Sequence, residues 1–350
     1  MRSPRSVATN RELMSTLRYD VTTGDWLVFA AERAARPNVL QRADAGLVQA
    51  VAHDPTCPFC VGNEHQSPAN IDTEPDPSDP ARWSVRLFEN KYPALRPDSL
   101  PERRLHGSLF RDMQGHGRHE VLVESPHHSL CLAEQPLDQV VRVLRVLHRR
   151  CRVLASDPRL EVVQIFKNHG AEAGSSLPHP HFQLIATPIV PRQIRIKFQM
   201  AVEYYNVAGR SVYVDLTEAE VDARSRLVAD NSSFVAFAPY ASRVPYEVWI
   251  VPRTPVPTFD LAAPECLPAL AELLLDVLRR LRAVVGDAPF NLVVNSAPRR
   301  HADEPDFVWH VEVVPRLTRS AGFELATGMS INSILPELAA EHLRGVAPPR

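Results

Sequence analysis

Val162-Val163-Gln164-Ile165-Phe166, followed after a loop by Gly174-Ser175-Ser176-Leu177-Pro178-His179-Pro180-His181-Phe182-Gln183, is the stretch on which the fold turns. The first run has the β-branched and aromatic content of a strand. If the His-x-His-x-Gln run is also extended, a period of two sends His179, His181 and Gln183 to one face. Two imidazoles and an amide on one patch can hold a metal, attack a phosphorus atom, or do both. With 14 histidines in 350 residues, a chance His-x-His is common. The weight therefore falls on what surrounds it.

Upstream, His119-Glu120-Val121-Leu122-Val123-Glu124 reads as a strand, and Leu137, Val140, Val141, Leu144, Leu147, Cys151 and Leu154 follow at helical spacing. Downstream the plan recurs. Tyr246–Val251 reads as a strand, and Leu267, Leu270, Leu274, Val277, Leu278 and Leu281 make a helical stripe. Phe290–Val294, Asn295, a loop and Val308-Trp309-His310-Val311-Glu312 complete the copy. Laid over each other, Asn168 falls on Asn295, His181 on His310 and Gln183 on Glu312, while His179 falls on Val308. The expectation is an α+β fold of two duplicated strand–helix–strand–strand units, with a mainly antiparallel sheet flanked by helices. Residues 1–195 hold the copy with the full histidine set, and 196–350 the degenerate one. Residues 196–232 show little periodicity and read as a connection, partly helical from about 217.

Composition narrows the class. Hydrophobic content of 45% and charged content of 23% are those of a soluble globular chain, and 350 residues suffice for a large core. A net charge of −2 offers no electrostatic case for nucleic acid or an anionic membrane as partner. The basic N-terminus is followed by no apolar segment of signal-peptide type, and the apolar stretch around Leu267–Leu281 is broken by charges. A cytoplasmic enzyme is expected. Five cysteines in this length do not make a disulfide framework. Cys131, Cys151 and Cys266 sit among aliphatics and read as small buried hydrophobes. Cys57 and Cys60 differ, forming Cys-Pro-Phe-Cys.

Six ordered segments then stand out: Arg33-Ala34-Ala35-Arg36-Pro37, Cys57–Cys60, Phe88–Leu95, Glu124–Ser129, Asn168–Gln183 and Gly322–Pro336. Through them the chain resembles the galactose-1-phosphate uridylyltransferase family of the histidine-triad superfamily, including its ADP-glucose phosphorylase-like branch. The resemblance implies histidine-triad-like units. It implies that His181 attacks the α-phosphorus of a nucleotide sugar, expels sugar 1-phosphate and becomes a nucleotidyl-histidine. A second phosphate then takes the nucleotide, a ping-pong sequence. It also implies that Gln183 bonds the phosphoryl oxygens; an amide donates without titrating, which favours transfer over hydrolysis. Ser176 and the Gly174–Leu177 backbone would add phosphate donors, and Asn168 either an amide contact or a turn.

By the same resemblance, Cys57, Cys60, His128 and His179 match a zinc site, and two thiolates with two imidazoles form the closed set of structural zinc. A redox Cys-x-x-Cys or an empty remnant is the alternative. His127 adjoins His128, and the family spacing selects His128. Arg33 and Arg36 would approach the nucleotide phosphates or the active site of a partner subunit, Phe88 and Asn90 the base and ribose, and Phe323 the hexose.

The chain also departs from the family pattern. Lys91 stands where many uridylyltransferases have aspartate, and Gly322, Thr327 and Gly328 replace lysine, tyrosine and glutamate of the enterobacterial type. Val308 replaces a histidine of a second metal site. The function implied is transfer of a nucleoside monophosphate, UMP by resemblance, from a nucleotide sugar to a hexose 1-phosphate. The alternative acceptor is inorganic phosphate. A homodimer is expected.

Overall fold

The computed structural model describes residues 15–35 and 51–346. The chain opens with a hairpin, β1 (Thr16–Tyr19) and β2 (Trp26–Phe29), then a second, β3 (Asn70–Asp76) and β4 (Asp79–Glu89), and a third, β5 (Arg103–His106) and β6 (Phe110–Met113). Strand β7 (Arg118–Val123), helix α1 (Leu137–Ala155), β8 (Val162–His169) and β9 (His181–Thr187) form the first expected unit. Helices α2 (Arg192–Ala208) and α3 (Val212–Ala223) follow, then β10 (Leu227–Asp230) and β11 (Phe234–Phe237). Strand β12 (Val248–Pro252), helix α4 (Leu267–Val285), β13 (Phe290–Asn295) and β14 (His310–Pro315) form the second unit. The helix α5 (Gly322–Thr327), strand β15 (Ile331–Asn332) and helix α6 (Pro336–Gly345) complete the described chain.

Ten strands make one sheet in the order β10-β11-β12-β14-β13-β8-β9-β7-β4-β3, antiparallel at every pairing. The order is palindromic in the repeat. β8 lies against β13 at the centre, and β9, β7, β4 and β3 run outward on one side as β14, β12, β11 and β10 do on the other. Register confirms the overlay residue by residue. Val121 lies opposite Gln183 as Trp249 lies opposite Glu312. Asn295 lies opposite His310, and one step beyond the Lys167–Phe182 pair Asn168 comes opposite His181.

One face of the sheet is covered along its length, and on the central strands β9 and β13 fully buried residues largely alternate with partly exposed ones. Leu122, Phe182, Leu184, Val248 and Ile250 pack with the apolar stripes of α1 and α4 into one large core. Their neighbours in sequence face the other way. In the first half Val121 and Val123 meet Cys57, Phe59, Cys60 and Phe88. In the second half Trp249 and Val251 meet Ala201, Val212 and Tyr213 of α2 and α3. Among the described residues, no helix is long and apolar enough to cross a membrane.

Two expectations fail. The 196–232 segment is not a connection helical only from about 217: α2 already begins at Arg192. Its buried face is Ile194, Lys197 and Ala201, and a charged residue in that stripe hides the periodicity. The His-x-His-x-Gln run is not one strand either. β9 begins at His181, so His179 lies ahead of the alternation.

Helices α2 and α3 explain why the two copies differ. They close over the His310 face, leaving His310 fully buried between Tyr213 and Trp249. Lys197 of α2 bonds Glu312 and lies 3.3 Å from His310 Nε2, while Arg243 donates to the other Glu312 oxygen at 2.6 Å. Burial alone would raise the Glu312 carboxyl, but the Arg243 and Lys197 charges hold it well below the carboxylate range. Lys197→Met would leave a buried carboxylate with one cation fewer. Breaking such a pair costs about 3–5 kcal/mol, with Arg243 holding the loss near the lower end. A urea midpoint for Lys197→Met equal to that of the wild-type protein would refute this account.

Candidate active site and metal centre

The Cys57–Cys60 turn lies against the first-half sheet face, where Phe59 packs edge-on to Phe88 at 5.6 Å. It brings both sulfurs to two imidazoles. Cys60 Sγ lies 3.3 Å from His128 Nδ1 and 3.6 Å from His179 Nδ1, and Cys57 Sγ lies 3.7 Å from His179 Nδ1. Metal–sulfur and metal–nitrogen bonds of zinc length at tetrahedral angles give edges of about 3.6 Å. The four ligand atoms lie within 4.8 Å of one another, and all four residues are buried. His179 Nε2 donates to the Ser125 carbonyl at 2.9 Å, which turns the Nδ1 lone pair toward the sulfurs. The group can hold a metal ion. Buried His128 belongs to this group, whereas its neighbour His127 is exposed.

His181 opens β9 on the same face, 6% exposed, with Phe59 edge-on at 5.3 Å. Its Nδ1 lies 2.8 Å from the His179 carbonyl, which can only accept. The hydrogen therefore sits on Nδ1, and Nε2 carries the lone pair. Burial, aided by the Lys167 charge and opposed by that hydrogen bond, lowers His181 to about 4. The ring is neutral near pH 7. Lys167 is itself buried, paired with buried Glu124, whose backbone carbonyl accepts from Gln139 Nε2 at 2.6 Å.

Gln183 lies two residues along β9 on the same face and is partly exposed. Its Oε1 accepts from His119 Nε2 at 2.8 Å. His119 is in turn opposite Asn90, whose backbone N–H donates to the His119 carbonyl at 2.8 Å. The loop between β8 and β9 is shaped by left-handed backbone at Gly170 (φ 81°) and Gly174 (φ 90°), which side chains rarely adopt. A Cβ on Gly170 would also meet Pro289 at 3.0 Å. Asn168 Nδ2 reaches the Gly174 carbonyl at 3.3 Å, and Asn291 donates to Asn168 Oδ1 and to the Ala173 carbonyl, both at 2.9 Å. Asn168 thus holds the loop, at whose exposed tip Ser176 stands.

The remaining expected residues are placed differently. Phe88 is 1% exposed, with the Arg86 guanidinium 4.6 Å from its ring centroid, so it is a wall of the core and not an open face for a base. Asn90, just beyond β4, is partly exposed and available. Arg33 follows β2, which pairs with β1 and β15 in a small three-stranded sheet. That sheet is tied to the second half by Arg18, which donates to Glu337 and to the Tyr240 carbonyl. Phe323 is 43% exposed. Arg36 lies outside the described residues.

His119, Lys167 and Glu124 were not singled out from the sequence. His119 and Lys167 stand in strands and Glu124 directly after one, but their partners lie on neighbouring strands, and only register brings them together.

With this geometry in view, comparison places the chain among known proteins. Residues 5–191 match the family described as galactose-1-phosphate uridyl transferase, N-terminal domain, and residues 146–344 match a domain of unknown function. The chain is 30% identical over 335 residues to ADP-glucose phosphorylase of Arabidopsis thaliana, covering 95% of this chain and 93% of that protein. It is 29% identical over 339 residues to galactose-1-phosphate uridylyltransferase of Thermotoga maritima, covering 95% and 98%. The fold superposes on the crystal structure of an Arabidopsis thaliana ADP-glucose phosphorylase with bound ADP-glucose at a TM-score of 0.81, with 29% identity and 95% and 99% coverage.

Proposed function

The chain belongs to the galactose-1-phosphate uridylyltransferase family, and on that premise we propose that it moves a nucleoside monophosphate between phosphates through a nucleotidyl-histidine. One observation carries the assignment to this site: His181 is buried and neutral, and its Nδ1 hydrogen bond to the His179 carbonyl leaves Nε2 to attack. A P–N bond forms at Nε2 as the α-phosphorus–oxygen bond breaks, and the electron pair leaves with the sugar 1-phosphate. The hydrogen stays on Nδ1, donated to the His179 carbonyl, throughout. Gln183 faces the same side and would donate to the phosphoryl oxygens. Ser176 and the loop held by Asn168 would take the remaining charge. An incoming phosphate oxygen then displaces His181 from phosphorus.

Cys57, Cys60, His128 and His179 would hold zinc. All four positions are then protein ligands, leaving none open for substrate, so its contribution is to order the backbone that carries His181. Arg33, next to the small three-stranded sheet, and exposed Phe323 would serve the site of a second subunit in a homodimer. The proposed acceptor is a hexose 1-phosphate and the nucleotide UMP, in a cytoplasmic setting.

Inorganic phosphate as acceptor is the second reading, favoured by the similarity to an ADP-glucose phosphorylase together with Gly322, Thr327 and Gly328 in the hexose segment. The discriminating experiment incubates the protein with UDP-glucose or ADP-glucose and offers galactose 1-phosphate or phosphate. Formation of a new nucleotide sugar is expected under the first reading, and nucleoside diphosphate under the second. A rate with phosphate above that with every sugar phosphate would overturn the first.

A further inference from the structure

We propose that His119 is a positioning residue for the transfer step, holding the Gln183 amide with its nitrogen toward the phosphoryl group and coupling that orientation to the nucleoside end of the substrate. The inference rests on the reaction proposed above. A glutamine amide is nearly two-fold symmetric in shape but not in charge. Turned one way, it offers two N–H donors to a phosphoryl oxygen; turned the other, it offers an oxygen that repels one. Something must choose.

The choice is made by a loop and two neighbouring strands. The Ala94 backbone N–H donates to His119 Nδ1 at 3.1 Å, so that nitrogen must carry a lone pair and the ring hydrogen lies on Nε2. His119 Nε2 then donates to Gln183 Oε1 at 2.8 Å. With its oxygen bound, the amide can only present its nitrogen to the other side. His119 and Gln183 are diagonal neighbours, since His119 pairs with Ile185 and Val121 with Gln183.

The same ring touches the segment expected to meet the nucleoside. Asn90 Oδ1 accepts from the Tyr92 N–H at 2.9 Å, and Asn90 Nδ2 lies 3.1 Å from His119 Nε2. Two donors cannot bond each other, so the partly exposed Asn90 NH2 is free to donate to a ligand oxygen. A ribose or base oxygen drawing Asn90 into place would seat residues 90–94 on the His119 ring and so secure Gln183. The arrangement links nucleoside recognition to the donor that stabilises charge at phosphorus.

The test is a double-mutant cycle read by single-turnover transfer of α-32P label to the protein from UDP-glucose or ADP-glucose. His119→Phe is expected to slow labelling about 30-fold while the half-saturating concentration stays within about threefold, because orientation acts on the transition state. In a Gln183→Ala background the same substitution should cost less than about threefold. His119→Gln, whose terminal amide can again donate, should recover to within about tenfold of wild type. Metal content is measured for every variant, and His119→Ala replaces the phenylalanine variant in the cycle if that one loses its metal or fold. Equal slowing in both backgrounds, or an effect confined to half-saturation, overturns the proposal while the transfer chemistry stands. A wild-type protein that takes up no label from either nucleotide sugar overturns the transfer reading and this inference with it.

Discussion

His181→Ala is expected to abolish labelling of the protein by an α-32P nucleotide sugar, with turnover falling about 10⁴-fold or more, as when other covalent nucleophiles are removed. Wild type should take up close to one nucleotide per chain. The substitution spares the metal centre. The ligand atoms of Cys57, Cys60, His128 and His179 are untouched, so metal content should not change. What the substitution removes is the imidazole and its edge-on contact with Phe59. His310 supplies the internal control. It is the repeat counterpart of His181 and has the same Nδ1 bond to the carbonyl two residues earlier, at 2.9 Å from Val308. Yet it is wholly enclosed by Tyr213 and Trp249. Folded His310→Ala should therefore label like wild type. Label persisting on His181→Ala would show that the nucleophile lies elsewhere.

Cys57→Ser is expected to strip the metal and lower stability by several kcal/mol, the second large effect. A serine hydroxyl does not ionise as a thiol does, and structural zinc sites couple about 10–16 kcal/mol of binding to the folded state in small domains. Only part of that would be lost in a chain with cores as large as these. Without a metal, burial pushes the Cys57 thiol up to about 11, so in the folded apo protein it stays protonated at neutral pH. The loss should fall more on stability than on the labelling rate. His181 stands on its own strand, paired with Val123 of β7, and that pairing remains when a metal on His179 is lost. Elemental analysis and a thermal melt would measure both. Metal content in Cys57→Ser equal to that of wild type would remove Cys57 from the ligand set.

The chemistry of the site was legible because it is local. His179, His181 and Gln183 lie within five residues, and Cys57 and Cys60 form one turn. The paired helices α1 and α4 followed from apolar spacing, and the duplication from matching order of elements. Phe88 was misread because an aromatic beside an amide looks the same whether it stacks on a base or on Arg86 and Phe59. Helix α2 was missed because Lys197 stands in its buried stripe. A lysine there makes sense only when Glu312, 115 residues away, is its partner.

By itself the sequence determined which groups are present and at what spacing: two histidines and a glutamine in alternation, a Cys-x-x-Cys pair and two copies of one supporting unit. Tertiary structure alone decided that one copy faces solvent and the other lies sealed under α2 and α3, and that His119 meets Gln183 across a strand pair. The physical reason is range. Propensity and periodicity act over a turn or two of chain, whereas strand register and the covering of a sheet face are set by contacts summed over residues far apart in sequence.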